Sequence, residues 1–371
     1  HGTRIELDLE GSYQKGQQSV DEYIKETAVT NPHVTLIYVN PKAEQFVFAR
    51  ATNKKPVEAK EIKPHPYGVE LGVLMKMLQD TDKKTLQQFF QTEFSRVSPA
   101  VAKEICANAR LQTKDKPKRM GRDQTEALIN GIKEAKIMAP PTDCLSPIGA
   151  ELLEKGLKKE INAEFYIAVT RSPVVYKGNP FQVEVALAWG GDQPGDKQAK
   201  LMRFANRVPL LYQQGACGTT KAVTSTKWKS YGMQQSNGNL PLGPLTIAVH
   251  IASVWVPFTS ESKEAIAHYE DILKEIRLAL QEAGRELGKY VAKKQRVKHE
   301  IKKRSYIQKY IPKLAEATAT ILKLGKEDVA IMEAKLEKML EKQRGKLDTM
   351  EFDPSKNVEF DAEHAKIGKK E

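Results

Sequence analysis

The sequence predicts an α+β chain of several folded units, and three observations carry that expectation. Its 371 residues exceed what one ordinary domain needs. The apolar period changes along the chain, from short period-two runs to a helical stretch, back to strands, and then to one long helix. A 40% apolar fraction is enough to build cores. At the same time, 29% charged residues and the lack of any run near the roughly 20 apolar residues of a membrane span predict a soluble protein. The longest apolar run, Leu245 to Phe258, is broken by His250 and Ser253 and reads as a buried strand. The chain opens His1-Gly2-Thr3-Arg4 with no apolar leader and no initiator Met, so a start inside a longer reading frame is expected.

Taken in order, Thr3 to Leu9 alternates with period two and predicts a strand. Ser19 and Glu22 have capping-box spacing and predict a helix to about Ala28. Val34 to Val39 and Gln45 to Ala49 predict two short strands. After a charged linker from Asn53 to Pro66 the period becomes helical. Leu71, Leu74, Met75 and Leu78 form one stripe, and Leu86, Phe89, Phe90 and Phe94 the next. Ser98-Pro99 predicts a capped helix with Val101, Ile105 and Ala109 inward. Beyond a basic connector, another helix is expected from about Asp123 to Lys136.

A second Ser-Pro pair, Ser146-Pro147, predicts a helix to about Lys159. Strands are expected at Glu164 to Thr170, Phe181 to Trp189, Val208 to Tyr212 and Leu245 to Val256, with a helix near Thr220 to Thr226. Together they predict a sheet with helices on one side. From Lys263 a seam of Ile266, Tyr269, Leu273, Ile276, Leu280, Ala283, Leu287 and Tyr290 predicts one long helix to about Arg304. Pro312 is expected to interrupt it. A shorter helix with Val329, Met332, Leu336 and Met339 on one stripe follows, and then a polar, disordered tail.

Chemistry is sparse. Cys106, Cys144 and Cys217 are scattered, which excludes a disulfide framework and offers no zinc spacing. The seven His residues are dispersed and read as surface or core histidines, and the Trp residues as packing. No Walker loop, catalytic triad or other self-sufficient active site is visible. The net charge of +12 suits a polyanionic partner, nucleic acid first; a merely soluble basic protein is the bland reading.

Four strings are specific. They are Leu201-Met202-Arg203-Phe204-Ala205-Asn206-Arg207-Val208-Pro209-Leu210, Pro180-Phe181 through Trp189-Gly190-Gly191, Trp228-Lys229-Ser230-Tyr231-Gly232, and His250 through Phe258. Together they resemble the transducer domain of the B-subunit family of DNA topoisomerase VI, a type IIB enzyme. Pro64-His65-Pro66-Tyr67-Gly68 resembles that family's helix-two-turns-helix domain. Gly2-Thr3 and the run Arg4 to Leu9 resemble the last nucleotide-site motif of a GHKL ATPase domain. The resemblance extends to about Arg304 in the family's order.

The resemblance implies a layout: the end of a GHKL α/β sandwich over 1–55, the helix-two-turns-helix domain over 56–140, a transducer with a lever helix over 141–305, and an extension over 306–371. It implies B–B dimerisation on ATP binding, relayed to an A subunit that cleaves duplex DNA, in a heterotetramer of two A and two B. In the W-K-x-Y-G motif Lys229 would reach the γ-phosphate as catalyst and sensor; a solvated surface lysine is the competing reading. Gly2 and Thr3 would lie near the adenine; an ordinary strand Thr competes there. The magnesium ligands, catalytic Glu and Gly-rich lid are expected upstream of His1, so no metal site and no ATP turnover are expected of this chain alone.

Two basic stretches are DNA candidates: Lys114, Lys116, Lys118, Arg119 and Arg122, and, on the long helix, Lys293, Lys294 and Arg296 with neighbours out to Arg304. Neither interleaves aromatics, so contact would be to phosphate and indifferent to sequence. A solvated helix face is the competing reading for the second. The expectation is an archaeal-type member of the family in the cytoplasm, associated with the nucleoid and not with a membrane. A nucleic-acid-binding scaffold with a coiled-coil arm is the rival, and a mismatch-repair or gyrase-like ATPase a weaker one.

Overall fold

The computed structural model describes residues 2–323 and 325–344; the expected disordered tail lies mostly outside them. The chain divides into two compact units. The first holds the residues up to Lys229 with Met233–Gly284, and the second holds Ser230–Gly232 with the described residues from Arg285 onward.

The first unit begins with an exception to the sequence reading. Thr3 to Leu9 is not a strand: residues 2–15 carry no regular structure, and Ile5, Leu7 and Leu9 are 79%, 72% and 83% exposed. Alternation marks a segment able to enter a sheet, but a strand also needs a neighbour for its N–H and C=O groups. No strand pairs with it among the described residues. Helix α1 (Val20–Thr30) follows, with Ser19 Oγ accepting the Glu22 N–H at 3.2 Å. The hairpin β1 (Leu36–Val39) and β2 (Gln45–Phe48) comes next.

Residues 69–137 close one apolar core from α2 (Leu71–Asp80), α3 (Leu86–Glu93), α4 (Pro99–Asn108) and α5 (Arg122–Glu134). Leu74, Leu78, Phe89, Phe90, Ile105 and Leu128 are wholly buried. Phe89 meets Phe90 and Phe94 edge-on at 5.3 and 5.6 Å, a favoured arrangement of ring quadrupoles. Caps fix the helix starts locally: Thr85 accepts from Gln88 N and Ser98 from Val101 N. Gly131 lets α5 pass close to α4, since a Cβ there would sit 2.6 Å from the Ile105 carbonyl oxygen.

The larger sheet is ordered β3-β5-β8-β6-β7, with β4 also on β5. Its strands are β3 (Phe165–Thr170), β4 (Val174–Tyr176), β5 (Asn179–Trp189), β6 (Lys200–Ala205), β7 (Val208–Pro209) and β8 (Leu245–Ser253). Only β6 and β8 run parallel. Helix α1 and α6 (Ala150–Glu160) cover one face, where Val29, Leu153 and Leu157 pack on Ala186, Met202, Phe204 and Ala248. Gly156 permits this contact, because a Cβ there would fall 2.0 Å from the Val29 carbonyl oxygen.

Several sequence expectations need correction here. The sheet is covered on both faces, not one: β8 is buried throughout, and so are Val183, Val185 and Leu187 on the second face of β5. Ser146 does not cap α6, which starts four residues later behind Gly149; the amides of Ile148 and Gly149 that lead into it are taken by a carboxylate from β5, described below. Strands β4 and β6 have no counterpart in the sequence reading, and β7 is shorter than expected. After α7 (Gly218–Ser225), the long helix α8 (Glu270–Leu322) starts later than Lys263. Ile266 is instead extended, its N–H donating to Cys217 Sγ and its carbonyl accepting Gly218 N–H. At its far end α8 does not stop at Pro312. Within the second unit Ile311, Ala315 and Ala319 are buried at steps of four, and that burial offsets the lost hydrogen bond and ring clash. Helix α9 (Lys326–Arg344) has Leu340, rather than Met339, as its buried end.

Candidate functional site

After α7 the chain makes a short 3-10 turn over Trp228–Tyr231. Trp228 is wholly buried; its indole N–H donates to the Val223 carbonyl at 2.9 Å and its backbone N–H to Gln235 Oε1 at 3.1 Å. Gln235 in turn donates to the Thr224 and Asn239 carbonyls, both at 3.0 Å. Bulk and hydrogen bonds therefore pin the residue before Lys229. Lys229 itself is exposed and closes no hydrogen bond or ion pair among the described residues. An ammonium on a fixed stem with no carboxylate partner is a ready point charge for a phosphate. Further along the same motif, in the second unit, Tyr231 lies against Gly288 of α8, where a Cβ would be 3.2 Å from the Tyr231 Cα.

The other candidate residues are placed as follows. Gly2 and Thr3 are exposed in the irregular N-terminal segment, and no hydrogen bond joins either to Lys229. Lys114, Lys116, Lys118, Arg119 and Arg122 are all exposed around the α4–α5 connector, and none closes an ion pair among the described residues. In the second unit Lys293 and Lys294 are half-buried and engaged, while Arg296 is exposed. Arg304 is only 4% exposed and engaged, which removes it from a solvent-facing basic stripe. Lys289 and Lys303 are paired along the helix with Glu286 and Glu300. Among the described residues no cluster of His, Cys, Asp or Glu could hold a metal ion.

Sequence reasoning missed a buried polar network in the sheet. Glu184 of β5 and His250 of β8 are both fully buried, and His250 Nδ1 lies 2.7 Å from Glu184 Oε2. The same carboxylate accepts the N–H groups of Ile148 and Gly149 at 2.8 and 2.7 Å and the Thr170 hydroxyl at 2.8 Å. Burial pushes the Glu184 carboxyl up, but the hydrogen bonds from His250, Ile148 and Thr170 outweigh it and hold the group below the usual carboxylate range. His250 Nε2 accepts the Arg207 N–H at 3.0 Å, and its Nδ1 faces the Glu184 carboxylate. The available signal was a Glu and a His each placed in an otherwise apolar strand.

A cleft of about 1130 Å³ opens between α1 and β6 and is lined in part by Glu22, Glu26, Lys200 and Arg203. Lys229 is not on its wall. Burial pushes the Glu26 carboxyl up to about 7. Lys200 pairs with Glu22, and Arg203 donates to the Tyr212 carbonyl at 2.8 Å.

The described residues therefore combine a mixed sheet carrying α1 and α6 on one face, an exposed lysine beside buried Trp228, and a long helix that follows in the chain. Residues 140–303 match the family model described as "Topoisomerase VI B subunit, transducer". Proteins named as the B subunit of type 2 DNA topoisomerase 6 are similar over most of the chain. The Methanococcoides burtonii protein is 50% identical over 91% of this chain and 54% of its own length. That of Methanosarcina mazei is 47% identical over the same shares, and that of Archaeoglobus fulgidus 46% over 86% and 53%. Residues 140–303 thus carry the family's transducer, and the chain spans about half the length of the curated relatives it matches.

Proposed function

We propose that this chain is the energy-transducing part of the B subunit of an ATP-dependent type IIB DNA topoisomerase. The single observation that carries the reading is Lys229, an exposed cation with no ion pair among the described residues, next to buried Trp228. On this reading residues 1–55 end a GHKL ATPase domain, 56–140 form a helix-two-turns-helix domain, 141–305 a transducer and 306–371 an extension. ATP binding would draw two B subunits together, and the sheet and long helix would pass that closure to an A subunit that cleaves and passes duplex DNA. The assembly would hold two A and two B subunits and work in an archaeal cytoplasm on nucleoid DNA. No helix among the described residues is long and apolar enough to cross a membrane.

ATP supplies the phosphoryl group whose charge Lys229 would meet; Lys229 then stabilises charge at the terminal phosphate and responds to its loss. An ammonium with no ion pair among the described residues fits that role. Thr3 and Gly2 would approach the base from a segment that has no sheet neighbour among the described residues. The described residues offer Mg2+ no ligand set, so its ligands would come from elsewhere in the full-length protein. The exposed cations from Lys114 to Arg122 suit phosphate contacts without base readout, and DNA binding through them should weaken steeply with salt.

The test is ATP-dependent relaxation of supercoiled plasmid by the full-length protein assembled with its A subunit. Relaxation that requires ATP supports the proposal; nicking-free DNA left supercoiled under all nucleotide conditions overturns it. The chain of residues 1–371 by itself should hydrolyse no ATP above a buffer blank.

A further inference from the structure

The turn between β6 and β7 is Asn206-Arg207, with φ of 47° and 70°. Both residues are left-handed, a conformation that a two-residue hairpin turn ordinarily fills with Asn-Gly. A turn that only reversed the chain would gain from Gly at 207. Here the strain is kept, and the arginine side chain is put to use. Asn206 is held from both sides by Ser253, its Nδ2 donating to the Ser253 carbonyl and its Oδ1 accepting the Ser253 N–H, each at 2.9 Å. Arg207 donates from Nη1 to the Thr30 carbonyl at 3.1 Å and from Nη2 to the Pro147 carbonyl at 2.8 Å. Thr30 returns the contact, its hydroxyl donating to the Arg207 carbonyl at 2.8 Å. The Arg207 N–H goes to His250, and His250 to Glu184, whose carboxylate holds the amides leading into α6.

We infer that Arg207 is a positioning residue that couples α1 to the transducer sheet, so that a displacement of α1 is delivered to β8 and α6 instead of being absorbed at a sliding apolar interface. The inference rests on the proposed function, which places α1 in the ATPase segment. A guanidinium at the C-terminal end of α1 also meets the negative end of the helix dipole. Its planar fork reaches two carbonyls at once, which a lysine cannot do.

The test uses the full-length protein with its A subunit, in wild type, Arg207→Gly and Arg207→Lys. Glycine suits the left-handed turn, so that variant folds while losing the guanidinium. Two quantities are read: nucleotide-driven B–B dimerisation, and relaxation per ATP hydrolysed. Arg207→Gly should leave dimerisation intact and lower relaxation per ATP about tenfold, the scale of an ordinary allosteric coupling; Arg207→Lys should recover part of it. Unchanged relaxation per ATP in Arg207→Gly overturns the coupling role. So does a parallel fall of dimerisation and relaxation, which marks a merely structural residue. A wild type that relaxes nothing overturns the proposed function and the coupling role with it. Faster amide exchange confined to the end of α1 in the glycine variant would then still report the clamp itself.

Discussion

The helical core of residues 69–137 and the sheet over β3–β8 are held by different forces. The first closes on apolar side chains, three edge-packed phenylalanines and local caps. The second has an apolar lining too, but fully buried Glu184 and His250, with Arg207, tie its strands to α1 and to the entry of α6. Buried ions are costly to desolvate and often contribute little net stability, yet they accept only one geometry. The contrast teaches that the helical core rests on shape and apolar burial. The sheet adds directional hydrogen bonds to its covering helix, the contacts on which the inferred coupling through Arg207 depends.

Substitutions can break or sharpen that contrast. The largest stability effect is expected at Glu184→Gln, about 3 kcal/mol lost, because two backbone donors and His250 would face an amide; chemical denaturation followed by regional amide exchange reads it. The sheet should loosen while the helical core keeps its protection, and equal loss in both would break the contrast. A pH effect comes next. Glu26 has its native carboxyl raised to about 7 from an ordinary 4.5. The protonated form favours the fold, so its contribution is full below about pH 4.5 and is lost as pH rises through about 7. Glu26→Gln should remove that decline and make the chain more stable than wild type at pH 8; a parallel pH profile would refute it. Gly156→Ala should cost about 1–3 kcal/mol through backbone collision with Val29, and Gly131→Ala somewhat less, given its longer approach to Ile105. Smallest is Ser98→Ala, about 1 kcal/mol for a lost cap, confined to the helical core.

What the sequence made legible follows the same divide. Helices α2 to α5 were readable because their signals are local: stripes at steps of three and four, and Ser98 before Pro99. Ser146-Pro147 has the same local signal and did not start a helix, because Glu184, distant in sequence, takes the amides instead. Residues 3–9 carry strand alternation but have no strand neighbour among the described residues. Strand β6 was hidden inside a string recognised for its resemblance and not for its period. At the candidate site, Lys229 was reached through its motif; neither the buried Trp228 beside it nor its lack of an ion pair among the described residues is written in sequence. The Glu184–His250–Arg207 network depends on register between β5, β8 and the β6–β7 turn, which no local pattern specifies.

The central claim is that Lys229 meets the terminal phosphate when the full-length protein is assembled. The direct measurement is the ATP turnover and plasmid relaxation of that protein with its A subunit, wild type against Lys229→Ala, alongside a melting curve for each. The account predicts at least about a tenfold fall in turnover, the effect of losing one preorganised charge on a phosphoryl group, with a fall in relaxation and an unchanged melting temperature. Turnover equal to wild type in a folded variant would take Lys229 out of the site.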